Sequence, residues 1–168
     1  HPHVSEWLRV FLDSNGGANT FDCLAAIARC MPLYLTYRRR EEPGVQAPEE
    51  TLRLRSGSCR DFAALFLAGA RSLGLAARFV SGYLILHAQT TAAEQAAAGA
   101  THAWVEVFLP GVGWRGFDPT CGLLETEYHI GVAAVPQATD APPVSGTYRG
   151  DASLATGLQV EVVTRVLN

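Results

Sequence analysis

Apolar residues at the start of the chain recur every three or four positions, which is the spacing of one face of an α-helix. This pattern predicts a first helix over residues 4–12 and a second over 24–31. Thr20 or Asp22 is placed to cap the second helix, and Pro32 is expected to end it.

Two segments without helical periodicity follow. Residues 33–37 favour an extended conformation, and 38–50 carry charges, two prolines and a glycine, which predicts a loop. The three arginines at 38–40 could form an anion patch. The glutamates at 41–42 partly cancel their charge, so a solvated turn is the favoured interpretation.

The next helix has a clear start signal. Ser58 and Asp61 have the spacing of a capping box and are followed by apolar residues on one helical face. The helix is therefore predicted to begin at Ser58 or Cys59. Gly74 is expected to end it in a left-handed conformation.

Strand patterns dominate the second half of the chain. Residues 77–86 are rich in branched and aromatic side chains, and 101–109 alternate with a period of two. A turn leads into a strand at 114–118, and 158–167 alternate again. The alanine-rich stretch 90–100 is either a short surface helix or a loop. Helices followed by antiparallel strands predict an α+β fold.

The size and composition predict one well-cored domain over residues 1–168. The chain weighs 18.0 kDa, with 48% apolar and 17% charged residues, which argues against disorder. Its longest apolar stretch, 63–70, is far shorter than the roughly 20 residues of a membrane span. No signal peptide is visible, so a cytoplasmic location is predicted. The missing initiator Met indicates a fragment or a processed chain.

The charged residues exclude several classes of function. All 13 basic side chains are arginine, so the chain has no lysine for a P-loop or a Schiff base. A net charge of −3 and a pI near 5.9 give no overall basic surface for nucleic acid. No cofactor is predicted.

The four cysteines, at 23, 30, 59 and 121, lack the spacing of a zinc site. Cys23 and Cys30 lie on one predicted helix and are interpreted as small buried hydrophobes. Cys59 differs because it falls in the first turn of a predicted helix. The free amides and the positive end of the helix dipole stabilise a thiolate there, which is the nucleophilic form.

His102 is the first candidate partner of that thiol. On strand 101–109 it lies opposite the apolar face, at a strand end where it could serve a cleft. Unaccompanied, it would be read as a surface or structural histidine. Glu106 shares its face but lies roughly 13 Å along the strand, at about 3.3 Å per residue. The carboxylate that orients His102 must therefore come from another strand.

Asp118 can reach His102 if the hairpin has an odd loop. With residues 110–112 as a three-residue loop, Leu109 pairs with Gly113, and Asp118 becomes a diagonal neighbour of His102 on the same face. A four-residue loop would turn Asp118 to the other face unless a bulge intervened. Asp118 could also simply start a turn before Pro119, and that role is compatible with catalysis.

Four segments together resemble the core of bacterial transglutaminase-like proteins, a family often described as cysteine proteases. They occur in the family's order within residues 20–150: 56–63 (SGSCRDFA), 77–84 (ARFVSGYL), 102–107 (HAWVEV) and 113–120 (GWRGFDPT).

The resemblance implies a papain-like α+β fold and a catalytic triad of Cys59, His102 and Asp118. His102 would take the Cys59 proton, and the thiolate would attack an amide carbonyl. The protonated His102 would then protonate the leaving amine, and water or a second amine would resolve the thioester. The Cys59 N–H and one further donor would hold the oxyanion.

Further candidates near this chemistry are less specific. Tyr37 is the candidate second donor, although an ordinary core or rim tyrosine is the more common role. Ser58 is a candidate oxyanion or substrate contact. Trp104 could shield the His–Asp pair from water or simply pack. His87 and His129 are predicted to be surface residues.

The chain departs from the family pattern at two places. Cys121 stands where family members often have asparagine, and 135–138 replace a Gly-Arg-Asp-Tyr run. Cys121 could interfere with Cys59 or lock it as a disulfide, but packing is the favoured interpretation. The family core often follows an N-terminal β-rich domain, so residues 1–168 are expected to be one catalytic core from a longer protein.

Three functions remain open. The leading one is a thiol-dependent amide hydrolase or acyltransferase acting on a protein or peptide. The second is a peptide-binding or scaffold module that keeps the fold without turnover. The third is metal binding through Cys59, His102, Asp118 and Cys121, and it is the weakest. The substrate and the oligomeric state do not follow from the sequence.

Overall fold

A computed structural model describes residues 2–14, 19–40, 42–85, 101–147, 149–151 and 162. The helices are α1 (Pro2–Ser14), α2 (Thr20–Tyr34), α3 (Pro48–Leu54), α4 (Cys59–Ser72) and a 3-10 turn (Ala138–Asp140). The strands are β1 (Thr36–Tyr37), β2 (Ser56–Gly57), β3 (Ala77–Leu84), β4 (Thr101–Leu109), β5 (Gly113–Asp118), β6 (Leu123–Leu124) and β7 (His129–Val135). The predicted α+β class is confirmed. No helix in these ranges is long and apolar enough to cross a membrane.

Helix α2 is longer at both ends than its apolar pattern predicts. Its cap is Asn19, whose side-chain oxygen accepts a hydrogen bond from the Asp22 N–H at 2.9 Å, so the predicted caps were wrong. Pro32 lies inside the helix rather than ending it. A proline so near the C-terminus removes only one helical hydrogen bond, and Leu35 still donates to the Met31 carbonyl.

The predicted loop over 38–50 is wrong at its end, because helix α3 begins at Pro48. Pro48 occupies its first turn with Glu49 and Glu50, and Arg53 lies in its last turn. These are ordinary end signals of a helix. Its seven residues are too few for a periodic apolar pattern to show. The predicted extended segment 33–37 shortens to the two residues of strand β1, because α2 continues to Tyr34.

Helix α4 packs on the sheet and forms the core. It begins at Cys59 after the cap Ser58, as predicted, and Gly74 beyond it has a φ of +78°. Phe62, Leu65 and Phe66 on its inner face are almost fully buried. They pack in one cluster with the apolar face of β4, whose members are Ala103, Val105, Val107 and Leu109. Burial of this face positions the start of α4 against the sheet.

The five-stranded antiparallel sheet has the order β6-β5-β4-β3-β7. Leu109 pairs with Gly113 and Val105 with Phe117, so the predicted three-residue loop is confirmed. Strands β6 and β7 were not predicted. The predicted segments 90–100 and 158–167, and also His87, lie outside the described residues except for Val162.

Gly82 on β3 packs directly against the backbone of β7, and Gly82→Ala is expected to destabilise the protein. A Cβ there would overlap the Ile130 carbonyl oxygen and lie 2.8 Å from the Trp104 ring. We expect the free energy of unfolding to fall by at least about 2 kcal/mol. Gly131→Ala is the matched control, because its Cβ would first meet Val80 at 3.4 Å.

Urea denaturation of both variants measures the difference. The control is expected to change the free energy of unfolding by less than about 1 kcal/mol. Equal losses for the two variants would contradict this description of the sheet.

Candidate active site

Cys59 is the first residue of α4, and its side chain is buried. Its Sγ lies 4.0 Å from the carbonyl oxygen of Thr101, the residue before His102. The structure therefore aims this thiol at the beginning of β4. The backbone N–H groups of the first helical turn have no partner within the helix backbone, and they give this end of the helix a positive partial charge.

A buried carboxylate anchors this helix start. Asp61 accepts hydrogen bonds from the Ser58 N–H at 2.8 Å, from the Ser58 hydroxyl at 2.9 Å and from the Gln46 N–H at 2.7 Å. It also forms an ion pair with Arg40 at 2.9 Å. The solvated turn predicted around Arg40 was therefore wrong at this residue, since its charge is paired inside the protein. The network ties the preceding loop to the residue before Cys59.

His102 and Asp118 form the predicted diagonal pair between β4 and β5. His102 Nε2 lies 2.8 Å from Asp118 Oδ2, and both side chains are fully buried. The hairpin register is the cause, because Val105 opposite Phe117 puts both residues on one face near the same end of the strands.

The other bonds of Asp118 define the proton positions. Its Oδ1 accepts from the N–H groups of Thr120 at 2.9 Å and Cys121 at 3.2 Å. An ionised carboxylate only accepts, so His102 must donate through Nε2. His102 Nδ1 is then the basic nitrogen of the neutral ring. It is buried and has no hydrogen-bond partner among the described residues.

A second histidine, His129, also reaches Asp118. It opens β7, is buried, and places its Nε2 3.2 Å from Asp118 Oδ2. The prediction of a surface residue was wrong, because β7 pairs with β3 and carries His129 under the end of the sheet. Thr126, three residues earlier, holds this ring in place, because its N–H and hydroxyl both lie 3.2 Å from His129 Nδ1.

These contacts move two pKa values in opposite directions. Burial opposes a charged imidazole, but the charge of Asp118 and its hydrogen bond hold the pKa of His102 well above its usual range. Burial alone would raise the pKa of Asp118, but His102 and His129 hold it well below its usual range. Asp118 is therefore an anion, and its charge stabilises the imidazolium form of His102.

The three less specific candidates occupy different positions. Tyr37 pairs with Gly57 through β1 and β2, which puts it beside the start of α4. Burial and the nearby Cys59 raise the pKa of Tyr37, so its hydroxyl stays protonated. The Ser58 hydroxyl is engaged by Asp61. Trp104 is fully buried, with its ring 6.2 Å from the His102 ring and 5.2 Å from the His129 ring.

Cys121 lies beside the pair and raises the question of a metal. Donor atoms of His102, Asp118 and Cys121 lie within 4.8 Å of one another. Burial raises the pKa of Cys121 to about 12, so this thiol keeps its proton at neutral pH. Both oxygens of Asp118 already accept N–H bonds. All four cysteines are free thiols.

Comparisons with solved structures agree with this fold. The structure named "Putative Cysteine Protease" from Cytophaga hutchinsonii superposes with a TM-score of 0.63 at 24% identity, covering 82% of this chain and 44% of that one. The periplasmic domain of TgpA from Pseudomonas aeruginosa gives 0.52 at 23%, covering 72% and 43%. Calcium-bound LapG from Legionella pneumophila gives 0.56 at 14%, covering 89% and 82%. At these identities the likeness shows the fold.

Sequence comparisons identify the family. The chain is 35% identical over 133 residues to "Uncharacterized protein Rv2569c" of Mycobacterium tuberculosis (strain ATCC 25618 / H37Rv), covering 76% of this chain and 42% of that protein. It is 36% identical over 107 residues to "Uncharacterized protein ML0607" of Mycobacterium leprae (strain TN), covering 63% and 37%. The chain thus spans about two-fifths of these relatives. Residues 13–119 match the sequence model of the Transglutaminase-like superfamily, and the chain belongs to that superfamily.

Proposed function

We propose that this chain is a cysteine-dependent amide hydrolase or acyltransferase in which Cys59 is the nucleophile, His102 the base and Asp118 the orienting carboxylate. The observation that carries the proposal is the His102–Asp118 bond at 2.8 Å, which leaves Nδ1 of a buried imidazole unpartnered among the described residues. The Cys59 Sγ lies 4.0 Å from the carbonyl oxygen of Thr101, the residue before His102. A thiol at a helix start, a base and a carboxylate that orients the base are the groups that covalent acyl transfer requires.

The reaction follows from these proton positions. His102 Nδ1 takes the proton of the Cys59 thiol, and the thiolate attacks the carbonyl carbon of an amide. The resulting oxyanion is held by the Cys59 N–H and by the Tyr37 hydroxyl. Its collapse breaks the C–N bond, His102 returns the proton to the departing amine, and a thioester remains on Cys59. Asp118 stays ionised throughout.

The thioester can be resolved in two ways. Water attacks it to give an acid, which makes the enzyme a protease or deamidase, or a second amine attacks it to give a new amide. In both cases His102 takes a proton from the attacking group and returns it to the Cys59 sulfur. The proposed substrate is a peptide bond or a side-chain amide of a protein.

A peptide library tests this function directly. We expect wild type to release acid and amine from a subset of peptides and Cys59→Ala to release none. Adding a primary amine separates the two outcomes, because a transferase forms the new amide at the expense of the acid. Binding of peptides by both proteins without turnover would instead support the scaffold function.

Selective alkylation is a second expected result. At pH 7, iodoacetamide is expected to modify Cys59 at least about tenfold faster than Cys121. Cys121 is protonated because burial raises its pKa to about 12. Cys59 lies at a helix start beside an imidazole that takes its proton. A time course followed by mass spectrometry of the peptides measures both rates.

The reference for this experiment is a free cysteine peptide, and Cys59→Ala identifies the fast site. If Cys59 reacts at pH 6 no faster than the reference, the thiol is not activated and the proposed function is wrong.

A further inference from the structure

His129 comes to the site from a strand remote from the other three residues. It opens β7, on the far side of β3 from β4 and β5, and pairs with Leu84. Its imidazole nevertheless reaches the same oxygen of Asp118 as His102 does. His129 Nε2 lies 3.2 Å from Oδ2, and His102 Nε2 lies 2.8 Å from it. The side chain is 1% exposed, so water does not compete for these bonds.

The proton on His129 is assigned by its other contact. The backbone N–H of Thr126 lies 3.2 Å from His129 Nδ1, and a backbone N–H can only donate. Nδ1 therefore accepts, and Nε2 carries the hydrogen that is donated to Asp118. The turn before β7 thus selects the tautomer that can hold the carboxylate. The His129 N–H also donates to the Thr126 carbonyl at 3.1 Å, which closes this turn.

We propose that His129 is a positioning residue, which fixes the Asp118 carboxylate so that Oδ2 stays directed at His102 Nε2. Two backbone N–H groups hold Oδ1, and the two imidazoles hold Oδ2. With all four donors, the carboxylate plane cannot rotate. Without His129, the hydrogen bond from His102 alone would orient Oδ2. The role rests on the proposed function of Cys59, His102 and Asp118.

The groups around His129 indicate that its Nε2–H donor, rather than the shape of its ring, holds Asp118. The Trp104 ring packs edge to face against the imidazole, 5.2 Å between centroids, and supplies contact that any flat ring would keep. Within the described part of the chain, the ionisable groups that interact with His129 are Asp118, His102 and Glu125. Of these, Asp118 is the group that His129 hydrogen-bonds.

Three variants separate the donor from the ring. His129→Phe keeps the flat ring and removes the donor. His129→Gln extends an amide N–H to about the position of Nε2, and its oxygen can accept from Thr126. His129→Asn has the same amide on a shorter side chain and does not reach Asp118. Val132→Ala, at an exposed position of β7, controls for changes to the strand.

The measurement is the rate at which iodoacetamide modifies Cys59 between pH 5 and 9, with circular dichroism to establish folding. We expect His129→Gln and Val132→Ala to stay within about threefold of wild type. His129→Asn and His129→Phe are expected to lose about tenfold to a hundredfold at pH 7, which is the range for one hydrogen bond to a charged group. The acid side of their profiles should move to higher pH. A poorly held Asp118 stabilises the imidazolium of His102 less well, so the Cys59 proton is transferred to His102 less readily and the reactive thiolate forms only at higher pH.

Three results would overturn the inference. One is a wild-type rate in His129→Asn, and another is an equal loss in His129→Gln and His129→Asn, which would make the ring shape the relevant feature. The third is a profile that moves to lower pH, as expected if His129 merely competes with His102 for Oδ2. If His129→Phe does not fold, the Gln and Asn variants decide alone. A wild-type Cys59 that is not activated would contradict the proposed function instead.

Discussion

His102→Gln is expected to reduce amide cleavage by this protein at least about 1,000-fold, which is within the range for loss of a general base. Glutamine can still donate to Asp118 Oδ2, where His102 Nε2 now lies at 2.8 Å, so the buried carboxylate keeps its partner. It has no nitrogen that can take a proton from Cys59 or return one to the leaving amine. The initial rate on a peptide selected from the library measures the loss.

The control for this variant is His3→Gln, at an exposed position of α1. It makes the same chemical change away from the site and should keep the wild-type rate. A His102→Gln protein that folds and cleaves within about tenfold of wild type would exclude His102 as the base.

The parts of the site that the sequence predicts are those set by local geometry. The cap at Ser58 and the burial of Phe62 and its neighbours place Cys59 at the start of α4. A three-residue loop sets the register that puts Asp118 diagonal to His102. Each of these features lies within a single helix start or a single hairpin, so short-range spacing is sufficient to predict it.

The parts that the sequence does not predict depend on contacts between distant segments. His129 reaches Asp118 because β7 pairs with β3 rather than with its neighbour in sequence. Strand β7 is an edge strand with most positions exposed, so it has no clean alternation of apolar and polar residues. Arg40 looks like part of a charge run until the fold buries it against Asp61. Tyr37 lies beside Gly57 through a parallel pair that spans α3, a helix too short to be recognised.

Asp118→Asn is expected to reduce amide cleavage by about 1,000-fold to 10,000-fold, the order seen for the same change in a serine-protease triad. The substituted asparagine can keep accepting the Thr120 and Cys121 N–H groups through its amide oxygen. Its NH₂ would then face Nε2 of both His102 and His129, where two donors already point. His102 relieves this clash by moving its hydrogen to Nδ1, which removes the base that Cys59 needs. The rate on the selected peptide measures this loss.

The pH dependence of stability gives an independent test of the same substitution. The pKa of Asp118 in the folded protein lies well below that of the unfolded chain, which is about 4. Its stabilisation is therefore complete above that pH and is lost as the pH falls through and below it. Urea denaturation between about pH 2 and 7 should show a steeper acid loss in wild type than in Asp118→Asn. Asp140→Asn, at an exposed carboxylate, should keep the wild-type slope. Parallel curves for wild type and Asp118→Asn would show that Asp118 is not the buried anion on which the proposed chemistry depends.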